Sequence, residues 1–183
     1  MAQYTDLDKR MKGYYETVPK IKLMRRCPVI IRLDGKAFHS FTKGFERPFD
    51  DLLIKTMQMT AKYLCQNIQG CVLGYTQSDE ISLLLVDYQT LQSDAWFDYE
   101  VQKMCSVPAS MATMAFNRFF NQNLEDWGYE KLPDWTCGDK NESSDEELWE
   151  QARVYCRAKE KGAMFDSRCF NIPKEEVTNY FYW

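Results

Sequence analysis

Apolar and polar residues fall in blocks along this chain, and the blocks predict its elements. Residues 1–27 are mostly polar and read as one or two helices anchored by Tyr14, Tyr15 and Val18. Pro28 stops any helix, and residues 29–33 form a short apolar run that predicts a buried strand, closed by Gly35. Residues 38–49 carry Gly44 and Pro48 and read as a loop. Asp50 or Asp51 is placed to cap the next helix, where Leu53, Met57, Ala61, Leu64, Cys65 and Ile68 recur at steps of three and four and define one apolar face. Gly70 closes it. Residues 71–75 and 81–86 then predict two strands, joined through Gln77-Ser78-Asp79-Glu80 at a spacing that suits a tight hairpin.

Residues 96–120 are again helix-like, with Val101, Met104, Met111, Met114, Ala115 and Phe119 apolar. Pro108 lacks an N–H donor and predicts a kink or a break there. Residues 121–162 change character. Pro133, Gly128, Gly138 and the turn-prone Asp139-Lys140-Asn141 precede a charged helix, with Ser144 and Glu147 spaced as a capping box. This stretch reads as a rim insertion with a solvated charged face. Residues 164–172 predict a last strand and residues 175–183 a last helix. The order is strand, helix, hairpin, helix, insertion, strand. It predicts a single α+β domain over residues 1–183: an antiparallel sheet in a ferredoxin-like split βαβ arrangement, with helices packed on one face. That topology sets the first strand beside the hairpin, so Asp34 and Asp79 meet at neighbouring strand ends.

Composition bounds the function. A hydrophobic fraction of 45% with 27% charged residues is globular rather than disordered. The net charge of −4 argues against nucleic acid bound over the whole surface, but the charge is uneven. Lys9, Arg10, Lys12, Lys20, Lys22, Arg25 and Arg26 crowd the N-terminal segment, and residues 121–150 are acidic. The seven cysteines form no C-x-x-C pair, which argues against zinc and for reduced, mostly buried thiols in a cytoplasmic protein. No signal peptide opens the chain, and no apolar run reaches the roughly 18 residues that span a bilayer.

The candidate chemistry lies in two acidic motifs at strand ends. Carboxylates there are poor packing groups and good ligands for hard cations, and two such ends side by side make a two-metal phosphoryl-transfer site. Asp34 and Asp79 are the candidate catalytic and metal-binding residues, holding two magnesium ions, with the Gly35 carbonyl as a further ligand. The backbone amides of residues 36–38 are placed to meet phosphate oxygens, with Lys36 adding a point charge. Each motif alone is an ordinary turn; the pair carries the signal. Glu80, as the neighbour on a strand, is expected to point away. His39, the single histidine, and Arg47 are candidates for nucleotide contact or for plain structural and solvated roles. Arg32, inside an apolar strand, needs a partner if buried.

At these residues the chain resembles the tRNA-His guanylyltransferase family and its relatives, the 3′-to-5′ polymerases. The matching pieces are Arg32-Leu33-Asp34-Gly35-Lys36-Ala37-Phe38-His39, Arg47-Pro48-Phe49-Asp50 and Tyr75-Thr76-Gln77-Ser78-Asp79-Glu80-Ile81-Ser82. Weaker matches are Phe165-Asp166-Ser167-Arg168 and Tyr180-Phe181-Tyr182-Trp183. The resemblance implies a palm-like catalytic domain and a nucleotidyltransferase that adds a guanylate or other nucleotide to the 5′ end of tRNA. In such enzymes the 5′-monophosphate is first activated with ATP or GTP, and the 3′-hydroxyl of an incoming GTP then attacks it. It implies two magnesium ions on Asp34 and Asp79. It implies nucleotide contacts from Asp34, Gly35, Lys36, Ala37, Phe38, His39, Arg47, Ser78 and Asp79, with Arg47 standing where the family usually has lysine. A homo-oligomer, dimer or tetramer, is part of the same expectation. The family continues past the position of Trp183 with a His- and Asn-rich region absent here. A palm-type nucleotide cyclase, and a nucleotide- or RNA-binding fragment without turnover, are the competing readings.

Overall fold

The structure, a computed structural model, describes residues 5–132, 135–137 and 146–183. Its helices are α1 (Asp6–Met11), α2 (Phe38–Phe41), α3 (Asp51–Asn67), α4 (Val101–Lys131), α5 (Glu146–Lys161) and α6 (Val177–Tyr182). Its strands are β1 (Val29–Gly35), β2 (Cys71–Gln77), β3 (Glu80–Leu85) and β4 (Phe165–Asn171). The strands form one antiparallel sheet in the order β2-β3-β1-β4. β1, α3 and β2 make the split βαβ unit with β3 inserted between its strands, as the element order predicts.

One face of the sheet is sealed by α3 and α4. Val29, Ile31 and Leu33 alternate inward from β1 and meet Met57, Leu64, Met104 and Phe116, all buried. Asp50 caps α3, its Oδ1 accepting the Leu53 N–H at 2.9 Å. On the opposite face Arg32 and Asp34 are only half-buried. α6 lies over part of that second face, with Tyr180 and Ser82 sharing a hydroxyl hydrogen bond of 2.8 Å. The main helices therefore cover one face, and the last short helix shelters one end of the other.

Several elements differ from their expectation. α4 runs unbroken from Val101 to Lys131 with Pro108 buried inside it, so neither Pro108 nor the acidic turn in composition at residue 121 ends the helix. Asn123, Leu124 and Gly128 are buried, and a Cβ on Gly128 would lie 2.2 Å from the Trp135 ring, which is why the helix continues there as core. α5 likewise buries Trp149, Ala152, Tyr155 and Ala158 beneath its charged outer face. The expected turn at residues 139–141, with Pro133, Gly138 and the cap at Ser144, lies outside the described residues. Residues 38–41 are helical rather than loop. Tyr14, Tyr15 and Val18 are exposed and anchor nothing among the described residues. Cys137 and Cys156 are joined as a disulfide, so the reduced state fits only Cys27, Cys65, Cys71, Cys105 and Cys169, which are free and half-buried rather than buried.

Candidate active site

β1 delivers Asp34 to the end of the sheet, and the β2–β3 turn delivers Asp79 beside it. The turn is tight, with Ser78 in the left-handed region at φ 54°. The Gly35 N–H donates to the Asp79 carbonyl at 3.1 Å, which fixes one motif against the other. Ser78 Oγ donates to Asp79 Oδ1 at 3.0 Å and orients that carboxylate.

Sheet register adds charges to this end. Asp34 stands opposite Glu80 on one side and Asp166 on the other. Directly opposed residues share a face, so Glu80 lies on the side of Asp34 rather than pointing away, and its carboxylate is taken by the Arg32 guanidinium. Burial, then the negative charges of Asp79, Glu80 and Asp166, hold the Asp34 carboxyl above the usual carboxylate range, against the opposing pull of Arg168. Arg168 is 3.7 Å from Asp34 and only 3.0 Å from Asp166, to which it donates. The site therefore holds more negative than positive charge.

Beyond β1 the chain turns back on itself. A Cβ on Gly35 would lie 2.2 Å from the Phe38 ring, so only glycine lets that ring enter its aromatic neighbourhood. Phe38 packs there against Phe41, Phe116 and Phe165 with centroids 5.1–5.4 Å apart. The Lys36 amide, expected to face phosphate, instead donates to the Met164 carbonyl at 2.8 Å. Ala37 adopts a left-handed conformation at φ 54° and starts α2.

This turn, the segment that follows it and the β2–β3 turn enclose a cavity of about 680 Å³. Of the expected nucleotide contacts, Gly35, Ala37, Phe38, His39, Arg47, Ser78 and Asp79 line it. Lys36 and Asp34 do not, although Asp34 adjoins it through Gly35 and through the charge of Asp79. Thr42, Phe45, Glu46 and Asp50 also line it and were not foreseen. Asp50 is buried and spends its carboxylate on the Leu53 and Glu46 amides and on the Tyr155 hydroxyl, which donates to Oδ2 at 2.8 Å. Burial, then the Asp50 charge, push the Tyr155 phenol well above its ordinary value. α5 also holds this wall through Arg157 to the Lys43 carbonyl and Lys161 to Ser40. Asp166 and Arg168 were legible only within the weaker family match over residues 165–168, with no site role assigned to them; Tyr155 left no local signal.

Comparison with known proteins points the same way. A family model described as tRNAHis guanylyltransferase (Thg1) matches residues 8–173. A bacterial tRNA(His) guanylyltransferase (Thg1)-like protein, solved in complex with ATP, superposes with a TM-score of 0.72 at 40% identity, covering 97% of this chain and 63% of that one. A structure with the same description in complex with GTP gives a TM-score of 0.73 at 40% identity, covering 98% and 69%. The tRNA(His) guanylyltransferase of Candida glabrata is 36% identical over 81 residues, 40% of this chain and 34% of its own length. An uncharacterised mimivirus protein is 33% identical over 121 residues, 63% of this chain and 40% of its own. The matched stretches thus span about a third to two-fifths of these curated relatives. The chain belongs to the tRNAHis guanylyltransferase family.

Proposed function

We propose that this chain is the catalytic portion of a nucleotidyltransferase that adds a guanylate, or another nucleotide, to the 5′ end of tRNA by two-metal phosphoryl transfer, in tRNA processing or 5′-end repair. The observation that carries the reading is the junction of Asp34 and Asp79 beside a cavity lined by seven of the expected nucleotide contacts.

The residues fit magnesium. Asp34 is half-buried among carboxylates with too little positive charge to balance them, and a hard divalent cation supplies that balance. Magnesium takes one or two carboxylates and fills its shell with substrate phosphates and water, so Asp34 and Asp79 suffice as the protein's acidic ligands. Asp34, Asp79 and the Gly35 carbonyl are the proposed ligands. When bound, the two ions neutralise the triphosphate and activate the attacking hydroxyl.

The chain's own groups do the rest. Ser78 holds the Asp79 carboxylate in place. Arg47 and His39 face the cavity and are proposed to meet the triphosphate and the nucleoside. Phe38, locked by its ring neighbours, keeps the wall rigid. Among the described residues no helix is long and apolar enough to cross a membrane; the cytoplasm is the proposed compartment. A homo-oligomer is proposed from the exposed apolar side chains Leu7, Met11, Tyr14, Tyr15, Val18 and Ile21.

Incubation with labelled GTP, ATP, magnesium and 5′-monophosphorylated tRNA tests the reading. Labelled guanylate on the tRNA is expected. GTP binding without transfer points to a binding module instead, and a cyclic product formed without RNA points to a cyclase; either overturns the proposal.

A further inference from the structure

The Cys137–Cys156 bond ties the segment that follows α4 to α5. We infer that it is a reversible thiol–disulfide site, opened by a small thiol of the glutathione class and closed by the corresponding disulfide, and that its state sets how tightly the cavity beside Asp79 holds Mg-GTP. The link to Mg-GTP rests on the proposed nucleotide site; the redox chemistry of the pair does not.

The two sulfurs are unequally placed. Cys137 is exposed, whereas Cys156 is 9% exposed among the core residues of α5. An incoming thiolate therefore meets the Cys137 sulfur, and Cys156 is the leaving group. This attack breaks the protein disulfide, forms a mixed disulfide on Cys137 and releases Cys156 as a thiolate that takes up a proton. A second glutathione thiolate then displaces the Cys137 sulfur. Two glutathiones leave as one glutathione disulfide, and the protein gains two electrons and two protons. The reverse exchange restores the bond. Where reduced glutathione is abundant, a disulfide that solvent thiols reach is a sensor rather than a permanent staple.

The other thiols compete poorly for this chemistry. Burial, then the neighbouring Cys65 and Cys105, push the Cys71 and Cys169 thiols up to about 12, which keeps them out of the reactive thiolate form.

α5 connects the bond to the cavity. In sequence Cys156 stands between Tyr155 and Arg157, the residues by which this part of the helix grips the cavity wall. Tyr155 donates to the buried Asp50, which in turn accepts the Glu46 amide, and Arg157 donates to the Lys43 carbonyl. A second route runs through rings. Trp135, two residues before Cys137, fills the notch left by Gly128 and packs on Trp149 of α5 and Trp127 of α4, with centroids 6.4 and 6.0 Å away. Trp127 meets the Tyr155 ring edge-on at 5.2 Å. The disulfide thus fixes the chain that carries Trp135 to the helix that carries Tyr155. Opening it removes the covalent tie and leaves that row to noncovalent contacts. Two covalent states, each transmitted through packed rings to one carboxylate in the wall, are what a coupled site requires. The bonded form holds Asp50 and the Glu46 amide more firmly and binds Mg-GTP more tightly. By linkage, Mg-GTP makes the bond harder to reduce by the same factor.

The test measures Mg-GTP affinity by calorimetry after equilibration with reduced or oxidised glutathione, with the state of Cys137 and Cys156 read by alkylation and peptide mass. Bonded wild type is expected to bind Mg-GTP about five-fold more tightly than open wild type, the lower end of ordinary coupling between sites. Saturating Mg-GTP should raise, by that same factor, the ratio of squared reduced glutathione to oxidised glutathione that half-opens the bond. Cys137→Ser, at an exposed position, is expected to fold, to bind Mg-GTP like open wild type and to ignore glutathione. Cys27→Ser should keep the full response. The inference is overturned if oxidised glutathione does not form the bond or reduced glutathione does not open it. It is equally overturned if both forms bind Mg-GTP with one affinity, or if Cys137→Ser still responds. If neither form binds Mg-GTP, the proposed nucleotide site fails, and hydrogen exchange at the Glu46 amide decides the inference. Faster exchange in the open form upholds control of the wall, and equal exchange overturns it.

Discussion

The amide of Gly35 donates to the carbonyl of Asp79 at 3.1 Å, and this single backbone bond joins the end of β1 to the β2–β3 turn. The two acidic motifs are therefore held by main chain, not by their carboxylates. The carboxylates remain available for a ligand, and each can be altered without removing what positions it.

Asp34→Asn tests that separation. The Asp34 carboxyl titrates above the usual carboxylate range, so its folded pKa exceeds the unfolded one. Stability tied to it is full below the unfolded pKa near 3.9 and is lost as pH rises through the folded value. At neutral pH the ionised group works against the fold. Without magnesium the substitution is expected to raise stability by on the order of 0.5 kcal/mol, roughly 1–2 °C in Tm, a small gain because the side chain is about a third exposed. Magnesium should raise the Tm of the wild type in the presence of GTP and leave the variant unmoved. A variant that melts lower than wild type at neutral pH contradicts this account.

Gly35→Ala should damage the site through packing. The new methyl would lie 2.2 Å from the Phe38 ring and drive it out of its cluster with Phe41, Phe116 and Phe165. Overpacking of this kind costs about 1–3 kcal/mol. Adding Phe38→Leu should recover part of the loss, a coupling that a double-mutant cycle by chemical denaturation measures. Strictly additive effects would show that Gly35 is required for another reason.

Tyr155→Phe removes the hydroxyl that α5 sends to the buried Asp50. A buried carboxylate deprived of one partner costs about 1–3 kcal/mol. Asp50 also fixes the Glu46 amide in the cavity wall, so GTP affinity should fall several-fold along with Tm. A fall in Tm with unchanged calorimetric GTP affinity would restrict Tyr155 to stability.

Alkaline pH should unfold the protein partly through Tyr99 and Tyr155. Burial raises both phenols above their ordinary value, so their contribution is intact below about 10 and is lost as pH rises further. In a urea titration series above pH 10, Tyr155→Phe should show a shallower loss of stability with pH than wild type.

The legible parts of this molecule were local ones. The run before Gly35, the helical spacing from Leu53 to Ile68 and the hairpin around Ser78 and Asp79 each encode an element within a short window, and each forms as expected. The pairing of β1 with β3 followed from the order of elements. What failed was inference from composition. Pro108 and the acidic stretch after residue 120 signal an end to α4, yet Phe116, Phe120 and Leu124 form one continuous buried stripe that outweighs the lost hydrogen bond. Tyr14, Tyr15 and Val18 resemble core residues in type and find no core. Asp166 and Arg168 reach the site only through the β1–β4 register, which their weak motif match did not disclose, and the partnership of Tyr155 with Asp50 joins residues 105 positions apart and had no local signature.

β1 lies between β3 and β4, and β4 is synthesised after the other described strands. While the ribosome is still producing the chain, Asp34 sits on a raw sheet edge with neither Asp166 nor Arg168 beside it. Its electrostatic surroundings are completed only when Phe165–Asn171 has emerged and docked.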